Sequence, residues 1–104
     1  PGIGARGSAV ADDDNNYPRT VEAAVRLLQG LVPEDEQQKI RSMSEQDLAM
    51  LDFGLGQWIR NHLGLWGDNA ALLRATGELH ADDASGVIVR AYWQKLRDDL
   101  PRVH

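Results

Sequence analysis

Apolar residues along this chain recur at helical spacing, with no long alternation of the kind a half-buried strand would need. Val21, Ala24, Val25 and Leu28 fall at i, i+3, i+4 and i+7, one buried stripe of an α-helix. Thr20 stands before them as an N-cap and Gly30 follows as the expected stop. A second helix is expected from Pro33, which suits a first helical position, with Glu34, Asp35 and Glu36 beside the positive end of its dipole. It is short and polar, anchored by Ile40 and Met43, so it is predicted to lie on the surface. Ser44-Glu45-Gln46-Asp47 resembles a capping box and opens a third helix reaching about Leu63. Leu48, Leu51, Leu55, Trp58, Ile59 and His62 form its stripe, and Met50 and Phe53 flank it. This helix is therefore expected to be central, with neighbours on more than one side.

Gly64 to Gly67 break the pattern. Asp68 or Asn69 can cap a short fourth helix over 70–76, which Gly77 ends. The last helix begins near Ala81 with Asp82 and Asp83 in its first turn. Ala84, Val87, Ile88, Ala91, Tyr92 and Leu96 form its stripe, and Pro101 marks its end. The predicted fold is all-α: a bundle of about five short helices with orthogonal packing. Residues 1–16 lack apolar periodicity and read as a disordered tail, 17–100 as a single helical domain, and 101–104 as a frayed C-terminus.

Composition removes several functions. The chain has 104 residues, room for one domain, and a chain of this size buries about two thirds of its unfolded surface. With no cysteine, thiolate metal sites, disulfides and thiol nucleophiles are excluded. The 16 Asp and Glu outweigh 11 Lys and Arg, for a net charge of −5, which argues against nucleic acid and anionic membranes as partners. No apolar run approaches the roughly 20 residues that span a bilayer. A helix-turn-helix at Ile40 to Ser44 would lack the basic residues DNA requires. The expected compartment is the cytoplasm. Export is the alternative, because Ala9-Val10-Ala11 has the small-residue pattern of a cleavage site, although no apolar segment precedes it. Asp12 to Asn16 lack the glycine and glutamate of a calcium loop.

The stretch LDFGLGQWIRNHLGLWGDN, residues 51–69, holds the candidate chemistry. Gly54 and Gly56 each cost a helix about 1 kcal/mol relative to alanine. Close packing against the small residues Ala84, Gly86 and Ala91 is the favoured compensation, and a kink shaping a cleft is the alternative. Trp66 either plugs the end of the bundle, the favoured reading, or stands exposed. Arg60 and Asn61 fall away from the main stripe. Either Arg60 pairs with Asp52, Asp82 or Asp83 and braces the fold, or its rigid fork recognises a carboxylate or phosphate.

Catalytic signals are weak. Ser85, His80 and Asp82 form a triad only on paper, with no nucleophile elbow or oxyanion hole. His80-Ala81-Asp82-Asp83 supplies three local metal ligands at most, without the i, i+4 histidines of a zinc helix. No catalytic residue, metal ligand or cofactor is assigned. The favoured function is a monomeric, non-catalytic interaction module for a protein partner, the acidic charge suiting a basic one. The expected contact surface is a polar-aromatic corner: Arg60, Asn61, Trp66, Asp68, Asn69, His80, Asp82 and Asp83. A small-ligand or metal-dependent site at the same corner, with Arg60, Asn61, His80 and Asp82 at its centre, is the alternative.

Four motifs carry a family resemblance: Phe53 to Gly56, Trp58 to Asn61, Gly64 to Trp66, and Asp82 to Gly86. With them, residues 18–97 resemble a small bacterial family described as a domain of unknown function. That resemblance implies a compact helical module and says nothing about substrate.

Overall fold

The computed structural model describes residues 17–99, so the expected tail over 1–16 and the C-terminal end over 101–104 lie outside the described residues. Five helices make up the described chain, with no strand among the described residues. Helix α1 is Val21–Leu31 and α2 is Glu34–Arg41. A continuous helical run over 45–62, here α3, joins four pieces. They are a 3-10 turn Glu45–Asp47, an α-helical turn Leu48–Leu51, a π-helical segment Asp52–Gly56, and α-helical Gln57–His62. Helix α4 is Ala70–Thr76 and α5 is Ala81–Asp98.

The helix starts follow local chemistry. Thr20 Oγ1 accepts from the Ala23 N–H at 3.0 Å, capping α1. The Ser44 N–H donates to Asp47 Oδ2 at 3.1 Å, so aspartate does the work that glutamate performs in a capping box. Asn69 Oδ1 accepts from the Leu72 N–H at 3.3 Å and caps α4. Gly77, at φ 80°, ends α4 in the left-handed conformation open to glycine. Gly30 does not end α1: the helix continues to Leu31 and the Val32 N–H bonds the Leu28 carbonyl at 2.9 Å. Its φ is not among the positive ones, so nothing about Gly30 breaks the hydrogen-bond ladder.

The last helix, rather than the third, is the centre of the fold. Helix α5 packs on all the others, and it buries Ala84, Ile88, Val89, Tyr92, Trp93 and Leu96. They meet Ala24, Val25 and Leu28 of α1, Ile40 of α2, Leu48 and Ile59 of α3, and Leu72 of α4 in one core. Helix α3 is covered on one side only. Met50 is 79% exposed and Phe53 80%, so neighbours on several sides are absent for this helix among the described residues. Helix α2 is on the surface as its polarity suggests, yet it sends Gln37 inward. There the Tyr92 hydroxyl donates to Gln37 Oε1 at 3.1 Å while Gln37 Nε2 donates to the Val32 carbonyl at 3.0 Å. Both groups of a buried polar pair are thereby satisfied. Burial pushes the Tyr92 phenol up to about 12, against a smaller lowering by Arg41.

Candidate functional site

The π-helical segment sets the geometry of the candidate corner. A π-turn holds about one more residue than an α-turn, so positions beyond it are rotated relative to a plain 3.6-residue repeat. Counted on the plain repeat, Arg60 falls away from the core. In the structure Asp52, Gly56 and Arg60 lie in a row facing the start of α5, and the Arg60 side chain is 15% exposed. Gly56 is buried, and a Cβ there would collide with the Asp52 carboxylate and sit 3.4 Å from Arg60 Nη1. The small-residue contact expected with α5 is thus replaced by a carboxylate lying over a glycine. Gly54 and Gly86 have nothing within 4 Å of an added Cβ, so neither serves close helix approach.

Arg60 crosses to α5. Its Nη1 donates to Ser85 Oγ at 2.8 Å, and Nε lies 3.3 Å from Asp82 Oδ1. That Nε is buried and has no hydrogen-bond partner, so the contact with Asp82 is a charge contact with poor donor geometry. Ser85 is fully buried. Its single hydroxyl proton goes to the Asp82 carbonyl at 2.9 Å, in preference to Asp52 Oδ1 at 3.5 Å. The guanidinium therefore engages the Asp82 carboxylate and a buried hydroxyl, locking α3 to the first turn of α5.

The neighbouring turn is fixed separately. Gly64 has φ 78°, and a Cβ there would meet the Tyr17 ring at 2.5 Å and Asn69 Cβ at 3.0 Å, so the position accepts glycine alone. The Gly64 carbonyl accepts the N–H groups of Gly67, Asp68 and Asn69 at 3.2, 3.0 and 2.8 Å. Asn69 is buried, and its Nδ2 donates to the Pro18 carbonyl at 2.8 Å and the Leu63 carbonyl at 2.9 Å. Its amide is fully used in holding the chain entry, the end of α3 and the start of α4 together.

The eight corner residues divide. Arg60 and Asp82 meet directly, and Asn61 and Trp66 meet through the indole N–H, which donates to Asn61 Oδ1 at 2.7 Å. Trp66 is 65% exposed and does not plug the bundle: Leu63 and Leu65 fill that end. Trp66, His80 and Asp82 line one open depression with Leu65, Leu73 and Leu79. Asp68 is exposed and reaches the turn through its backbone. Asp83 lines a different groove, with Glu78, Gly86 and Arg90. His80 occupies the N-cap position of α5 without a side-chain capping bond. Among the described residues no three His, Asp or Glu converge as a metal site. His62 is exposed and stacks on Trp58, with centroids 4.5 Å apart.

Leu79 was not foreseen. It is 84% exposed beside Trp66, and its only sequence signal is a lone apolar residue between Gly77 and the acidic start of α5. Among the described residues no helix is long and apolar enough to cross a membrane. No curated protein and no solved structure matches the chain. A family model does match, over residues 17–96, which take in both the Arg60 brace and the Trp66 turn: the chain belongs to the family described as a domain of unknown function, DUF6794.

Proposed function

We propose that this chain is a small, non-catalytic module that binds a basic protein partner at the corner around Trp66 and Leu79. The observation that carries this reading is the pairing of a 65% exposed tryptophan with an 84% exposed leucine on one depression. Exposed large apolar side chains grouped together are uncommon on a surface without a partner. The indole is also held in place: its N–H is engaged by Asn61, and its turn is pinned by Gly64 and Asn69. A fixed aromatic loses little freedom on binding, which is why tryptophan recurs at the energetic centre of interfaces.

Acidic groups supply the direction. Asp82 lines the depression, Asp68 is in the adjoining turn, and the whole chain carries −5. Such a rim steers a basic partner toward the apolar centre. A catalytic role for the His80, Asp82 and Ser85 set runs against geometry, since Ser85 is fully buried and its oxygen is already engaged twice. The module acts as a monomer in the cytoplasm on this reading, and cell fractionation tests the compartment.

Capture from lysate with the wild-type chain and with Trp66→Ala and Leu79→Ser tests the proposal. One stoichiometric basic protein retained by the wild type and lost by both variants supports it. Equal retention by variants that circular dichroism shows to be folded contradicts it.

A further inference from the structure

A second surface, away from the Trp66 turn in sequence, lies where the end of α1 meets α3. Leu28, Leu31, Val32, Pro33, Leu55 and Trp58 line a depression of about 390 Å³ with no charged residue in its wall. Two helical glycines are sequence neighbours of its wall residues, Gly30 next to Leu31 and Gly54 next to Leu55. Both are exposed, and neither has any atom within 4 Å of where a Cβ would be. A glycine inside a helix is unfavourable relative to alanine, and contacts among the described residues supply no reason for either. Close approach of another molecule would supply one, because a bare backbone lets a helix seat against it. Met50, Gly54 and Trp58 recur every four residues along α3, so exposed Met50 and half-buried Trp58 frame the gap that Gly54 leaves.

We infer that this depression docks an amphipathic helix of a partner, apolar on the seated side and rich in Lys or Arg along its flank. Charge selects that occupant. Glu34, Asp35 and Glu36 follow the wall residue Pro33 directly in sequence and are exposed. Lys39 reaches back to Glu36 at 3.4 Å and Arg41 to Glu34 at 3.9 Å, while Asp35 has no ion pair among the described residues. A second copy of this chain would bring a second acidic triplet against the first. A cationic flank meets the triplet favourably.

The test is amide chemical-shift mapping of the whole chain with two synthetic helical peptides that share a leucine face. One carries lysine on its flanks and the other glutamate. The expected result is saturable shifts at Gly30, Leu31, Gly54 and the Trp58 indole with the lysine peptide, and none with the glutamate peptide. Gly54→Gln, which gives α3 a better helix former, is expected to raise the unfolding midpoint while weakening the lysine peptide about tenfold or more. Trp66→Ala is expected to leave this binding unchanged, which separates the surface from the one proposed above. The inference is overturned by equal binding of both peptides, by shifts centred on Trp66, or by wild-type affinity in Gly54→Gln. It is equally overturned if the lysine peptide does not bind, or if shifts at this surface appear with protein concentration alone, the mark of self-association.

Discussion

Replacing either of two glycines two residues apart with alanine should move stability in opposite directions. At Gly54 the added methyl meets nothing within 4 Å, so Gly54→Ala keeps the whole helix-propensity gain, about 1 kcal/mol. In a domain of this size that raises the unfolding midpoint by about 4–8 °C. At Gly56 the same gain is opposed, because the methyl takes the space of the Asp52 carboxylate and sits 3.4 Å from Arg60 Nη1. Overpacking of this kind costs about 1–3 kcal/mol. The net expectation for Gly56→Ala is no gain and a loss of up to about 2 kcal/mol, read by urea denaturation followed at the helical ellipticity band. Asp52→Ala in the same chain removes the collision, so the double variant should be more stable than the sum of the single changes by about 1 kcal/mol or more. Stabilisation by Gly56→Ala equal to that of Gly54→Ala would refute the placement of Asp52 over Gly56. With it would go the register that the π-turn imposes on Arg60.

Asn69→Ala should cost about 2–4 kcal/mol, since it removes the cap of α4 and leaves the Pro18 and Leu63 carbonyls without their donor; a thermal midpoint within a degree or two of wild type would count against that anchoring. Tyr92, raised by burial from 10.0 to about 12, favours its neutral form in the fold. Its contribution is complete below pH 10 and is lost as pH rises toward 12, amounting to about 3 kcal/mol at most. Tyr92→Phe should flatten the stability profile across that window while lowering stability at neutral pH by about 1–2 kcal/mol, because Gln37 Oε1 loses its donor. An unchanged alkaline slope in the variant would assign the pH dependence to other groups.

Much of the fold could be read from residue spacing because the controlling interactions are local. Thr20, the Val21-Ala24-Val25-Leu28 stripe, the Ser44 start, the Asn69 cap and the Gly77 stop all act within one or two helical turns. The π-turn is different. It depends on the Asp52 carboxylate settling over Gly56 and on Arg60 reaching Ser85 and Asp82 on another helix, and no local residue pattern encodes that. Missing it rotates the far half of α3 and places Arg60 on the wrong face. Met50, Phe53 and Trp66 failed for a second reason. Hydrophobicity predicts that a side chain gains by burial, but it does not say that a small domain has enough neighbours to bury it. The Gln37–Tyr92 pair was hidden because a glutamine on a polar helix carries no mark of facing inward.

At the corner, the bracing reading of Arg60 fits its contacts, since its guanidinium engages the Ser85 hydroxyl and the Asp82 carboxylate. Trp66 and Leu79 are left exposed, so the proposed function rests on them. The most direct measurement is the affinity of the captured partner for wild type and for Trp66→Ala, titrated with both proteins at the same unfolding midpoint. The account predicts a loss of about 2 kcal/mol or more, roughly thirtyfold, in the variant. An affinity unchanged by removal of the indole would contradict it.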